Sequence, residues 1–92
     1  MSSSVTRELQ IINVKGLHAR ASAKFVDLVE KFDAQAEVAK DGLCVSGDSI
    51  MGLLMLTAPR GSRIQVTTRG PDAVPLADAL QALVADYFGE GM

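Results

Sequence analysis

The sequence predicts an α+β fold: a two-layer, open-faced β-sandwich, in which a four-stranded, mainly antiparallel sheet is covered on one face by three helices. Three observations predict it. First, two segments alternate between apolar and polar residues: Leu9 and Ile11 against Glu8 and Gln10, then Ile64 and Val66 against Arg63, Gln65, Thr67 and Arg69. Each reads as a strand with one wet face. Second, Asp41-Gly42 separates two further extended runs. Asp-Gly is the strongest short hairpin signal, because a type I′ turn needs positive φ at both central residues. Third, the segments between strands carry helical periodicity. A sheet with one polar face leaves that face open and requires helices on the other.

The elements follow in order. Residues 1–6 are rich in Ser and Thr and read as a flexible tail. The first strand spans Arg7 to Val14, and Gly16 ends it. From Ala19 to about Lys31, Phe25, Leu28, Val29 and Phe32 fall at i, i+3, i+4 and i+7, with Lys24, Asp27, Glu30 and Lys31 toward water. Burying each of those four apolar side chains contributes roughly 1.5–3 kcal/mol before entropy is subtracted. Ala36 to Lys40 and Leu43 to Ser46 form the hairpin around Asp41-Gly42. Ser46-Gly47-Asp48 is a turn, and a short helix starts near Ser49 and ends before Pro59. Ser62 to Arg69 is the last strand. Gly70-Pro71-Asp72 is a turn that offers Asp72 as an N-cap. Ala73, Leu76, Ala77, Leu80, Leu83, Val84 and Tyr87 then form a helical stripe. Pro75 is tolerated there, since first-turn amides have no intrahelical partner. The order is β-α-β-β-α-β-α. With no repeat or linker, it forms one domain over residues 1–92.

Composition narrows the function. Of 92 residues, 48% are hydrophobic and 22% charged, the balance of a folded globular chain. Nine basic against eleven acidic residues give a net charge of −2, and with no Trp, one Tyr and three Phe, nothing points to nucleic acid. The apolar run Ile50 to Leu56 is far too short to span a bilayer, and the first residues lack a signal-peptide pattern. The single Cys44 cannot close an internal disulfide, and with one His it cannot build a Cys/His zinc site. Cys44 reads as a small core residue, and Arg60, Arg63 and Arg69 as a solvated face. The expectation is a cytoplasmic monomer with no metal, no cofactor and no membrane contact.

Three features could carry chemistry. His18 follows Gly16-Leu17 and opens the first helix, where unpaired amides and the macrodipole make a phosphate site. The same field disfavours positive charge on the ring and leaves a nucleophilic imidazole. Arg20 can reach the same spot as a second phosphate donor. The plainer and commoner reading is a surface histidine beside a cap. The segment Ser49-Ile50-Met51-Gly52-Leu53-Leu54-Met55-Leu56 is apolar nearly all round. It is either a buried helix or an adaptable docking surface, to which Met51 and Met55 add plasticity. Ser49 is a helix cap or a phosphorylation site beside that surface.

Taken together, Gly16-Leu17-His18-Ala19-Arg20-Ala21-Ser22-Ala23-Lys24-Phe25-Val26, the Asp41-Gly42 hairpin, Ser49 to Leu56 and the closing helix around Ala79-Leu80 resemble the HPr family. These are the histidine-containing phosphocarriers of the phosphoenolpyruvate-dependent phosphotransferase system. The resemblance runs from about Glu8 to Phe88 and implies the same open-faced sandwich. It implies that His18 carries phosphate on Nδ1, that Arg20 assists it, and that Ser49 is the serine modified by HPr kinase/phosphorylase in organisms that have one. It implies docking of enzyme I and IIA proteins on Ile50, Met51, Leu53 and Leu54, with Lys24 and Asp27 completing the expected partner surface. Phosphate would arrive from phospho-enzyme I and leave to a IIA histidine.

Three departures stand out. Ala21 replaces the family's usual proline, Lys15 precedes Gly16 where a small polar residue is common, and Asp48 precedes Ser49 where many relatives are basic or neutral. Such variants look like the nitrogen-related branch, whose carriers regulate rather than feed sugar transport. The competing reading is a regulatory binding module of the same shape that uses the Met-rich helix without phosphotransfer. A stand-alone enzyme is disfavoured, because no carboxylate pair, nucleophile-base pair or metal cluster is evident.

Overall fold

The structure, a computed structural model, describes residues 4–90. Strand β1 (Ser4–Gln10) leads to helix α1 (Ala19–Glu30), then strands β2 (Gln35–Lys40) and β3 (Leu43–Ser46), helix α2 (Ile50–Met55), strand β4 (Arg63–Arg69), helix α3 (Ala73–Ala85) and a closing 3₁₀ turn (Tyr87–Gly89). The four strands form one sheet in the order β1-β4-β2-β3. Every pairing is antiparallel. The helices lie on one face, giving the expected order and the expected two layers.

The core sits between the layers. Leu9, Val38, Ile64 and Val66 point inward from the sheet to meet Phe25, Val29, Leu76, Leu80 and Phe88, all buried. In β1 and β4 the alternation behaves as expected. Asp41 and Gly42 have φ of 51° and 84°, the two positive values that a type I′ turn demands. On the open face, Arg63 pairs with Glu8 at 3.1 Å and Arg69 with Glu37 at 2.5 Å. The arginines of the wet face thus bridge neighbouring strands.

Five expectations change. The strand begins earlier: Ser4, Val5 and Thr6 belong to β1, opposite Arg69, Thr68 and Thr67. The rest of the expected tail, residues 1–3, lies outside the described residues. The strand also stops at Gln10, although Ile11 still exchanges backbone bonds with Ser62 and Gly61 at 2.8 and 2.7 Å. Cys44 is exposed and not in the core; it faces the open side of the hairpin, where its thiol donates to Glu37 at 3.2 Å. Asp72 precedes α3 but makes no side-chain cap bond; its carboxylate accepts the Asp33 amide at 2.9 Å, tying the end of α1 to the start of α3. Tyr87 does not continue the α3 stripe. The backbone turns with φ of 57° at Tyr87 and 52° at Phe88, so Tyr87 faces water and Phe88 fills the core instead.

Candidate functional site

The loop before α1 is fixed before the helix begins. Gly16 has φ of +66°, and a Cβ there would lie 2.5 Å from the Ala58 carbonyl oxygen and 2.9 Å from Pro59 Cα. Both obstacles are backbone, so only glycine fits. Next, the buried Leu17 donates its amide to the Ala58 carbonyl at 2.9 Å. These contacts strap the loop to the segment after α2. That segment holds Thr57 at φ of 45°, a conformation that β-branched residues rarely adopt.

His18 is the N-cap of α1, and its extended backbone turns the ring over the first turn. Nδ1 accepts the Arg20 amide at 3.3 Å, doing with a ring nitrogen what a Ser or Asp oxygen does at most N-caps. Nε2 lies 2.6 Å from Oε2 of Glu90. Oε1 of Glu90 accepts from Nδ2 of Asn13 at 2.9 Å, and the same amide nitrogen donates to the Gly16 carbonyl at 2.8 Å. Asn13 is fully buried, and its Oδ1 has no partner among the described residues. The His18 side chain keeps 25% of its surface exposed, enough for a partner to reach one edge.

Burial pushes the Glu90 carboxyl up, but the bonds from Asn13 and His18 and the charges of His18 and Lys15 outweigh it, so the group sits below the ordinary glutamate range. A cleft of about 370 Å³ is lined by Val14, Lys15, Arg20, Lys24, Gly89 and Glu90, whereas His18 lines a separate cleft that shares Lys15. Arg20 has no ion-pair partner among the described residues, leaving its guanidinium available to an anion. Lys24 is part-buried and donates to the Phe88 carbonyl at 2.7 Å, so part of its role lies within the chain. Asp27 is exposed on the same helix.

Ser49 caps α2: its Oγ accepts the Gly52 amide at 3.0 Å. Asp48 beside it accepts from the Ser46 hydroxyl at 2.5 Å. The short helix divides sharply by face. Met51 is 70% exposed and Met55 64%, with Ile50 also exposed and Leu54 between. Leu53 is 0% exposed. It belongs to the core and is withdrawn from the expected docking set, because α2 must turn one residue per turn inward to seal the sheet.

The comparisons with known proteins bear on this geometry. The sequence pattern described as the PTS HPr component phosphorylation site matches residues 5–86. The chain belongs to the HPr family. It is therefore an HPr-type phosphocarrier of the phosphotransferase system. A phosphocarrier protein HPr from Cupriavidus necator is 48% identical over 85 residues, which span 92% of this chain and 96% of that protein. Among solved structures, a phosphocarrier protein HPr from Bacillus anthracis superposes with a TM-score of 0.83 at 39% identity, covering 87% of this chain and 95% of that one. An HPr from Thermoanaerobacter tengcongensis superposes at 0.88 with 37% identity, covering 98% and 99%.

Within this HPr fold, the structure brings His18, Arg20 and Lys15 together, and sets Ser49 and the exposed methionines on the neighbouring helix. It also adds two residues that sequence reasoning missed. Asn13 carried a signal, a polar residue inside the apolar run Ile11 to Val14. Glu90 carried none, because it lies beyond the last helical period.

Proposed function

We propose that the chain accepts a phosphoryl group on Nδ1 of His18 from phospho-enzyme I and passes it to a histidine of a IIA protein, completing no turnover alone. The observation that supports this best is the state of Nδ1. It is a ring nitrogen whose lone pair faces the start of a helix, on a side chain that is 25% exposed, with Lys15 lining the same cleft and Arg20 two residues on to meet phosphate oxygens. Unpaired amides and cationic side chains at a helix start stabilise a transferring anion. Partners dock on Ile50, Met51 and Leu54, extended by Met55. Phosphate on Ser49 would place a dianion at the edge of that surface and oppose docking.

The test is an intact-mass measurement after incubation with enzyme I and phosphoenolpyruvate. The wild-type chain gains one acid-labile phosphate, and His18→Ala gains none while keeping its circular dichroism. Full acceptance by His18→Ala overturns the assignment. A wild type that takes no phosphate yet binds partners through Met51 would instead be a binding module.

A further inference from the structure

We infer that Glu90, held in place by Asn13, is a positioning residue that fixes His18 in the tautomer with hydrogen on Nε2 and the lone pair on Nδ1. This deepens the phosphocarrier reading and rests on it for the transfer step. Two contacts on opposite nitrogens specify the same tautomer. The Arg20 amide donates at 3.3 Å toward Nδ1, which must therefore offer a lone pair. Oε2 of Glu90 lies 2.6 Å from Nε2. A carboxylate only accepts, so Nε2 must carry the hydrogen. The depressed titration of Glu90 agrees with an ionised group there.

The hold on Glu90 is itself determined. Nδ2 of Asn13 reaches two acceptors, the Gly16 carbonyl at 2.8 Å and Oε1 of Glu90 at 2.9 Å, so the amide can face only one way. Its Oδ1 is left buried without a partner among the described residues. Such exceptions call for a reason, and bridging the histidine loop to the chain end supplies one. The charged groups that share a cleft with Glu90 are Lys15 from the loop and Arg20 and Lys24 from α1, and Lys15 also lines the cleft that holds His18.

The tautomer matters in both directions of transfer. On acceptance, the Nδ1 lone pair forms the bond to phosphorus, the bond from phosphorus to the donor breaks, and its electron pair stays with the donor. No proton leaves His18, and the positive charge gained by the ring faces the Glu90 carboxylate. On donation, a ring nitrogen of the acceptor histidine forms the new bond to phosphorus, the Nδ1–phosphorus bond breaks and its electrons return to Nδ1. Because Nε2 still holds its hydrogen, the leaving group is neutral imidazole. Without that hydrogen it would be imidazolate, a far poorer one.

The experiment uses ¹⁵N-histidine labelling of the full chain, whose single histidine gives an unambiguous signal. Nitrogen shifts report the tautomer in wild type, Glu90→Ala and Glu90→Gln, and the rate of phosphoryl acceptance from phospho-enzyme I is measured for each. Wild type should show the Nε2–H form. Glu90→Ala should show both tautomers and accept phosphate about tenfold more slowly, the lower end of what removing an orienting partner of a functional histidine costs. Glu90→Gln should be worse than Glu90→Ala. Asn13 claims the glutamine oxygen, so the glutamine nitrogen faces Nε2 and drives the hydrogen onto Nδ1, as a wrong-tautomer amide does in a catalytic triad. A contact that merely fills space predicts the opposite order, since glutamine keeps the shape. Identical tautomers in all three proteins, or a milder effect for glutamine than for alanine, overturns the inference. A wild type that takes no phosphate while its tautomer still depends on Glu90 overturns the transfer role along with the phosphocarrier reading. The tautomer is read without enzyme I, so the two failures are separable.

Discussion

The ammonium of Lys24 donates to the Phe88 carbonyl at 2.7 Å, tying the middle of α1 to the end of the chain. Phe88 is meanwhile 0% exposed, so that end is held by a core aromatic and a charge-assisted bond together. Glu90 follows two residues later, and its turn is closed by bonds from Gly89 to Asp86 at 2.8 Å and from Glu90 to Tyr87 at 2.9 Å. Lys24 therefore helps decide where the Glu90 carboxylate meets His18.

Lys24→Met keeps the aliphatic stem and removes the bond. A hydrogen bond to a charged group contributes ~1.5–3 kcal/mol, and partial exposure reduces this to about 1 kcal/mol. Urea unfolding should show that loss. Hydrogen exchange at Gly89 and Glu90 should quicken while the α1 amides hold. Unchanged exchange at both would mean that the bond does not secure the chain end.

Met51 and Leu53 should separate docking from stability. Met51→Asp alters a side chain that is 70% exposed, so folding should be nearly untouched. Enzyme I binding, read by calorimetry, should weaken by at least ~1–2 kcal/mol, because a partner's apolar surface must desolvate the new charge. Leu53→Ala empties a fully buried site and should cost ~2–5 kcal/mol of stability. A large fall in melting temperature for Met51→Asp would place Met51 in the core.

Ser49→Ala should cost about 1 kcal/mol of stability, since it removes the acceptor for the Gly52 amide at 3.0 Å. Ser49→Asp retains an acceptor and adds one negative charge at a helix start, where charge is tolerated. Its circular dichroism should match wild type while enzyme I–dependent phosphorylation slows. Authentic phosphoserine, which carries nearly two charges, should slow it further. Equal rates in all three proteins would leave Ser49 as a cap alone.

Acid should release the chain end. Burial alone would raise Glu90, but bonds from Asn13 and His18 and the charges of His18 and Lys15 hold it below the ordinary 4.5. The Cys44 thiol, then the Arg69 charge and bond, lower Glu37 likewise from 4.5. A carboxyl whose folded value is depressed stabilises the fold fully above its unfolded value and loses that contribution as pH falls through the folded one. Urea midpoints should therefore hold steady through these two groups from neutral pH to about 4.5 and decline below it. Glu90→Ala should flatten its share of the decline. An undiminished acid slope in that variant would show that Glu90 is not linked to folding.

What was legible in the sequence is local and periodic. The alternation at Leu9 and Ile64, the i, i+3, i+4, i+7 run of α1 and the Asp41-Gly42 turn each arise from backbone geometry within a few residues, and the HPr resemblance follows from contiguous motifs around His18 and Ser49. Gly16 beside a helix start marked the site for the same reason. Periodicity failed where neighbours in space decide. Ser4 to Thr6 look like a tail until Arg69 to Thr67 supply their ladder. Ile50 to Met55 are apolar all round, so only packing on the sheet could choose Leu53 as the buried face and Met51 as the open one. Cys44 and Val45 are neighbours whose faces depend on register with β2.

His18 itself divides the two kinds of information. Its place at the start of α1 is written in Gly16-Leu17-His18, and so is the field of the helix above it. Its proton is not. Glu90 stands 72 residues away along the chain from His18 and 77 from Asn13. They meet only because α3 packs back across β1 and the chain turns at Tyr87 and Phe88 to bring its end against the first loop. No local pattern encodes that encounter, since it depends on the closure of the whole sandwich. A helix start is specified by the bonds its neighbours leave unmade, whereas a ring's tautomer is set by whichever partner the finished fold delivers.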